Sequence, residues 1–336
     1  DQRVPAQYHP NGFNLTTPTE PMADRLIMKL SVRDVRTETR DVIVINFLHP
    51  RRPELPAWSA GAHVDVHLPD GSVRQYSLCG DPKDRSVYKI AVKREADSRG
   101  GSAWLHDNAV AGLGLHVSAP RNHFDFDPER GRHVLVAGGI GITPFARMVR
   151  QLVETGQDFV LHYCMRSRET APLVTELEEI CGAKLRRWIS EEGTRLDVAT
   201  LLSAEGNSEL YVCGPLNLIS AVEDAALHAS WPEERLHMER FTALANGDFE
   251  PKPFDVVIAS SGKEFAVPAD RSLLSVLNEN GFAIHSTCET GVCGTCECEY
   301  IEGTVQHRDV VLSPQKQKSK LMPCVSRGNG KLVLGL

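Results

Sequence analysis

Four cysteines fall within eleven positions, CETGVCGTCEC from Cys288 to Cys298, and a fifth, Cys324, follows well downstream. Cys288, Cys293, Cys296 and Cys324 are spaced C-x4-C-x2-C, then 27 intervening residues to the last thiol. A plant-type [2Fe-2S] centre is held by such a run, because one tight loop must curl three thiolates around two irons. Gly291 and Gly294 lie between these cysteines and leave room for backbone amides to approach the sulfurs. Zinc is the rival occupant, but structural zinc sites usually pair two C-x2-C knuckles and only one is present. Cys298 lies outside the spacing and reads as a packed thiol, or as the replacement ligand if one of the four is misassigned.

A second chemical feature is GGIGITP, Gly138 to Pro144, which follows the apolar run HVLVA and opens an amphipathic stretch. Glycines at a strand-to-helix turn let a pyrophosphate approach the backbone, and a helix start favours its negative charge. Gly138, Gly139, Gly141, Thr143 and Pro144 are therefore candidate nucleotide contacts, with a plain tight turn as the alternative. Tyr211-Val212-Cys213-Gly214-Pro215 ends a second strand on the same crevice, where open parallel sheets bind ligands. Cys213 there is either close to a nicotinamide or a buried small thiol. WISEEG puts Glu191 and Glu192 after a third strand, where a carboxylate accepts from a ribose diol and repels a 2'-phosphate. Arg166 and Arg168 pull the other way, and the balance favours NADH over NADPH.

Hydride carries two electrons and an iron-sulfur cluster takes one, so a flavin is expected between them, being stable at the one-electron level. Arg74-Gln75-Tyr76-Ser77-Leu78 alternates a cation, a ring and a hydroxyl along one strand and matches that need, although an ordinary amphipathic strand reads the same way.

The elements that must position these residues follow from periodicity. From Leu26 to Val117 short alternating runs such as LIMKLSVRDV, VIVINFL and VYKIAVKR, broken by turns, predict an antiparallel barrel with one helix near SAWLHDNA. From His133 strands alternate with amphipathic helices, which predicts a parallel, doubly wound sheet. Asn246 to Pro253 has the composition of a linker, and a small α+β module follows. The expected divisions are a loose tail at 1–24, a flavin barrel at 25–130, a nicotinamide domain at 131–245, a linker at 246–253 and a cluster domain at 254–336. The chain has 336 residues, 41% hydrophobic and 24% charged, with a formal charge of −7. That composition argues against a nucleic-acid partner, and no apolar run approaches the roughly 18 residues of a membrane span. Nine cysteines with no secretory leader pattern point to a reducing cytoplasm, and a monomer is the default.

RQYSLCG, IAVKR, RGGSAWLHD, APRNHFDF, VAGGIGITP, YVCGP, the cysteine run, HRDVVLS and MPCVSR together resemble the phthalate dioxygenase reductase family, over nearly all of residues 26–336. The resemblance implies a multidomain fold: an antiparallel β-barrel flavin domain, a ferredoxin-reductase-like α/β nicotinamide domain, and an α+β plant-type ferredoxin (β-grasp) domain. It implies a flavin site of Arg74, Tyr76, Ser77, Ala91, Val92, Lys93, Gly101 and Ser102, with Arg74, Lys93 and Ser102 on the phosphate and Thr143 near the ring. Phe241 matches the family's aromatic that covers the flavin until nicotinamide displaces it, the alternative being a core phenylalanine. PRNHF resembles the FMN-binding branch, so FMN is expected rather than FAD. His307-Arg308-Asp309 matches a stretch that braces the cluster loop. The implied partner is a Rieske-type oxygenase that hydroxylates aromatic rings or O-demethylates. An FAD reductase serving a cytochrome P450 or a diiron oxygenase is the alternative.

Overall fold

The computed structural model describes residues 26–95, 100–241, 249–312 and 314–336; the expected tail at 1–24 and the first part of the expected linker lie outside them. The first unit contains β1 (Ile27–Thr39), β2 (Val42–Leu48), β3 (Ala62–His67), β4 (Val73–Ser77), β5 (Tyr88–Lys93), α1 (Gly101–Asn108), β6 (Gly114–Ser118) and β7 (Arg121–Asn122). The strands order as β4-β3-β6-β1-β2-β5, all antiparallel, with β7 added to β3. A bridge from Leu78 to Ile90 joins the two ends, which closes the barrel and removes its free edges. Alternation along β1 sends Met28, Leu30 and Val32 inward, where they meet Ile45, Phe47, Val64, Val66 and Val117.

The second unit contains β8 (His133–Gly138), α2 (Phe145–Glu154), β9 (Phe159–Met165), α3 (Val174–Cys181), β10 (Leu185–Ile189), α4 (Val198–Ala204), β11 (Glu209–Cys213), α5 (Leu216–His228) and β12 (Leu236–Glu239). Its strand order is β10-β9-β8-β11-β12 and every pairing is parallel. Helices cover both faces, so β8 and β11 are buried at every position and are apolar apart from their first residues, His133 and Glu209. The order steps from β8 outward in both directions, which places a crevice beyond the carboxyl ends of β8 and β11. Phe124 from the barrel packs edge-on against Phe145 and Tyr211, and so locks the first unit to the second.

The third unit contains β13 (Phe254–Ile258), β14 (Glu264–Val267), α6 (Leu273–Glu279), β15 (Cys298–Gln306), α7 (Pro314–Gln317), β16 (Lys320–Leu321) and β17 (Arg327–Leu334), ordered β14-β13-β17-β15-β16. Ser272 caps α6 by accepting from the Ser275 amide. Among the described residues, no helix is long and apolar enough to cross a membrane.

Candidate active site where three units meet

An open cleft is lined by Arg74, Tyr76 and Ser77 of β4, by Glu239 and Phe241 at the end of β12, and by Cys288 and Val292 of the cysteine loop, so that each of the three units supplies part of the wall. Burial pushes the Tyr76 phenol upward, so it stays protonated as a donor. Phe241 sits on the cleft wall and is 40% exposed, a large apolar residue at the surface of the described structure.

Arg74 runs across the start of α1: a Cβ on Gly101 would lie 2.5 Å from Arg74 Nε. Ser102 Oγ accepts from the Glu95 amide at 3.2 Å, and Lys93 Nζ lies 3.0 Å from Glu95 Oε1. Arg74, Lys93, Gly101 and Ser102 therefore gather at one helix N-terminus, where the aligned peptide dipoles favour an anion. Ala91 and Val92 are buried on β5, and His106 Nε2 at 2.9 Å from the Val92 carbonyl oxygen ties α1 to that strand.

In the crevice, the glycine turn and the end of β11 press together. A Cβ on Gly141 would stand 2.5 Å from the Cys213 carbonyl oxygen, and one on Gly138 would stand 2.6 Å from Pro215 Cδ. Gly214 in turn lies against the Gly138 backbone. Gly138, Gly141 and Gly214 thus serve backbone-to-backbone packing, while Gly139, at φ +52° with nothing near its missing side chain, faces outward. Thr143 is buried and donates to the Ile140 carbonyl at 3.0 Å, and Pro144 precedes α2. Cys213 is fully buried, and its sulfur lies 4.0 Å from Glu239 Oε2. Burial pushes the Glu239 carboxyl up to about 8 and raises the Cys213 thiol as well, so both carry their protons at neutral pH. At the outer edge Glu191 Oε1 accepts from Arg166 Nε at 2.8 Å, and Arg168 and Arg187 both pair with Glu178.

The four spaced cysteines form two couples. The Cys293 thiol bonds to Cys288, pulling Cys288 down to about 5 and raising its own value; the Cys324 thiol bonds to Cys296 with the same effect. The Thr290 amide donates to Cys288 Sγ at 3.4 Å and the Thr295 amide to Cys293 Sγ at 3.4 Å. Glu289 at φ 53°, Gly291 at φ 75° and Gly294 at φ 70° give the loop its left-handed bends. Asp309 Oδ2 accepts from the Val311 and Leu312 amides, and the Asp309 backbone lies against Gly291. Cys298 is elsewhere, buried on β15 among Phe254, Val256 and Leu332, and burial pushes it up to about 12.

Residues 135–224 match the oxidoreductase NAD-binding domain family, and residues 256–327 match the 2Fe-2S iron-sulfur cluster binding domain family. The heme-dependent oxidative N-demethylase beta subunit of Ectopseudomonas mendocina (strain ymp) is 42% identical, over 83% of this chain and 89% of that protein. The phthalate 4,5-dioxygenase oxygenase reductase subunit of Pseudomonas putida is 40% identical, over 86% and 90%. The solved phthalate dioxygenase reductase matches at TM-score 0.67 and 36% identity, covering 92% of this chain and 98% of that one. An intact type IV self-sufficient cytochrome P450 monooxygenase matches at TM-score 0.85 and 38% identity; this chain spans 41% of its length. The chain belongs to the phthalate dioxygenase reductase family. It is an iron-sulfur oxidoreductase with a nicotinamide-binding and a [2Fe-2S]-binding domain, and the family fold implies a flavin.

The residues of this phthalate dioxygenase reductase relative fit those groups. Four spaced thiols in two neighbouring couples, Cys288 with Cys293 and Cys296 with Cys324, suit the four thiolate ligands of a [2Fe-2S] centre. The arginine drawn across the start of α1 suits a flavin phosphate. Sequence reasoning did not single out Glu239, His63 or His123 on the cleft wall. Glu239 ends the four-residue β12, too short to show a period; His63 meets His123 only when the barrel closes, and His123 meets Gly294 only when the first and third units come together.

Proposed function

We propose that the chain is an NADH-dependent reductase that holds FMN in the three-unit cleft and passes single electrons through its [2Fe-2S] centre to a Rieske-type terminal oxygenase, acting as a cytoplasmic monomer. One observation carries the reading: Cys288 stands on the wall of the same cleft as Arg74, Tyr76 and Phe241. A bound flavin would accept hydride and release electrons singly, and a bound cluster would relay them. The chain supplies geometry. Arg74, Lys93 and Ser102 hold the phosphate, and Tyr76, Ser77, Ala91 and Val92 line the ring's berth. Phe241 covers the open face and yields it to the nicotinamide, and Thr143 fixes the turn beside it. Cys213 and protonated Glu239 form a neutral floor that keeps water and competing charge from the site.

The preference for NADH is supported by the occupied arginines. Arg166 is bonded to Glu191 and Arg168 to Glu178, so a 2'-phosphate would have to break an ion pair and meet Glu191. FMN is supported by the resemblance of PRNHF to the FMN-binding branch; its Arg121 pairs with buried Asp65 at 2.6 Å and its Asn122 donates to Ser59 and Ala60, which fastens the stretch to the barrel.

An anaerobic NADH titration of the purified protein, with the released flavin identified by chromatography, tests the reading. About three electrons per chain, two for flavin and one for the cluster, are expected together with FMN. Two electrons without bleaching of the cluster bands would sink it. A haem-containing acceptor is the second reading, favoured by the heme-dependent N-demethylase relative and by the P450 structure. Transfer of electrons to a P450 but not to a Rieske protein would establish it.

A further inference from the structure

His123 belongs to neither the nucleotide crevice nor the cysteine loop, yet it touches the units around both. The backbone on each side of it is fixed. Arg121 is tied to Asp65, Asn122 bonds to Ser59 and Ala60, and the Phe124 amide is held by Asn122 Oδ1 at 2.9 Å. Phe124 itself is buried between barrel and parallel sheet, and its carbonyl lies against Gly61. From this anchored stretch the His123 ring extends between two surfaces. On one side is the buried ring of His63, centroid to centroid 5.4 Å, on the residue that pairs with Ser77 of the flavin strand. On the other is Gly294, next to ligand Cys293, where a Cβ would lie 3.0 Å from His123 Nε2 and 3.1 Å from Cε1. Gly294 is buried and left-handed, so the loop bends at the point where the ring abuts it.

We propose that His123 is a positioning residue that seats the cluster loop on the flavin barrel and thereby sets the separation between the two redox groups. The proposal rests on the flavin and cluster assignments above. Electron transfer requires close approach, and a linker alone leaves a small module free to wander. A rigid segment ending in an imidazole against a side-chain-free position gives a defined stop. Glycine suits the position twice over: a Cβ there would stand 3.0–3.2 Å from the His123 ring and Val311, so ring or loop would have to give way, and φ +70° disfavours a side chain.

The test compares wild type, His123→Ala, His123→Gln and Gly294→Ala, each loaded with flavin and cluster, by stopped-flow mixing with NADH under anaerobiosis. In the alanine variants cluster bleaching is expected to slow about tenfold more than the flavin bleaching that precedes it, so that the ratio of the two rates falls; His123→Gln recovers part of that loss. Amide hydrogen exchange gives an independent readout: residues 288–296 exchange faster in His123→Ala, while β13 and β17 are unchanged. Wild-type cluster reduction and wild-type exchange in both alanine variants would overturn the proposal. Failure of the wild type to bleach the cluster at all would instead overturn the cofactor assignment on which it rests.

Discussion

Glu239 is a carboxyl group set where its charge is least welcome, beside buried Cys213 on the wall of the cleft that Phe241 also lines. Burial raises it from an ordinary 4.5 to about 8. Between those values the unfolded chain releases the proton and the folded chain keeps it, so stability is greatest below about 4.5 and falls as pH rises toward 8. Glu239→Gln removes that slope. Melting temperatures across this range are expected to fall for wild type relative to the variant, and parallel curves would contradict the assignment. Glu239 was not legible in the sequence, because a glutamate after a short strand looks like any exposed acid until β11 and the cleft close over it.

At the scale of elements, the glycine turn divides its labour between packing and exposure. Gly141→Ala would drive a Cβ to 2.5 Å from the Cys213 carbonyl and 2.6 Å from the Gly214 amide, both rigid backbone. Such overpacking is expected to cost about 1–3 kcal/mol in urea denaturation and to part the ends of β8 and β11. Gly139→Ala meets nothing within 4 Å and bears only the strain of a left-handed residue, about 1 kcal/mol. Equal losses from the two would refute this division. The motif was legible as a strand-to-helix turn from its glycines, but which of them packs and which faces the crevice depends on β11, more than 70 residues away in the chain.

At the scale of the whole molecule, the barrel core and the ferredoxin core are separate hydrophobic clusters, joined through the contact of His123 with Gly294, the cleft and the chain itself. Cys324→Ser removes one sulfur of the Cys296 couple and with it the cluster. Calorimetry is expected to show an earlier transition for the ferredoxin unit alone, with NADH-driven flavin reduction retained and reduction of a one-electron protein acceptor lost. A uniform downward shift of the entire melting profile would mean that the three units unfold as one. Arg327 makes the third unit self-contained: its guanidinium donates to the Lys252 and Pro268 carbonyls at 2.8 Å and to that of Arg271, so the end of the linker is bound into the module it introduces.

The sequence by itself determined what depends on local spacing. The C-x4-C-x2-C run pointed to a [2Fe-2S] domain because a single loop carries three of its thiols, periodicity of two and then of alternating strand and helix separated barrel from parallel sheet, and the combined motifs pointed to the family. Tertiary structure alone decided what depends on contact between distant segments: the pairing of Cys296 with Cys324, the proton on Glu239, the ion pairs that occupy Arg166 and Arg168, and the meeting of His123 with Gly294. Burial and Coulomb energy are set by distance through space, and chain spacing reports that distance only where the chain is locally stiff.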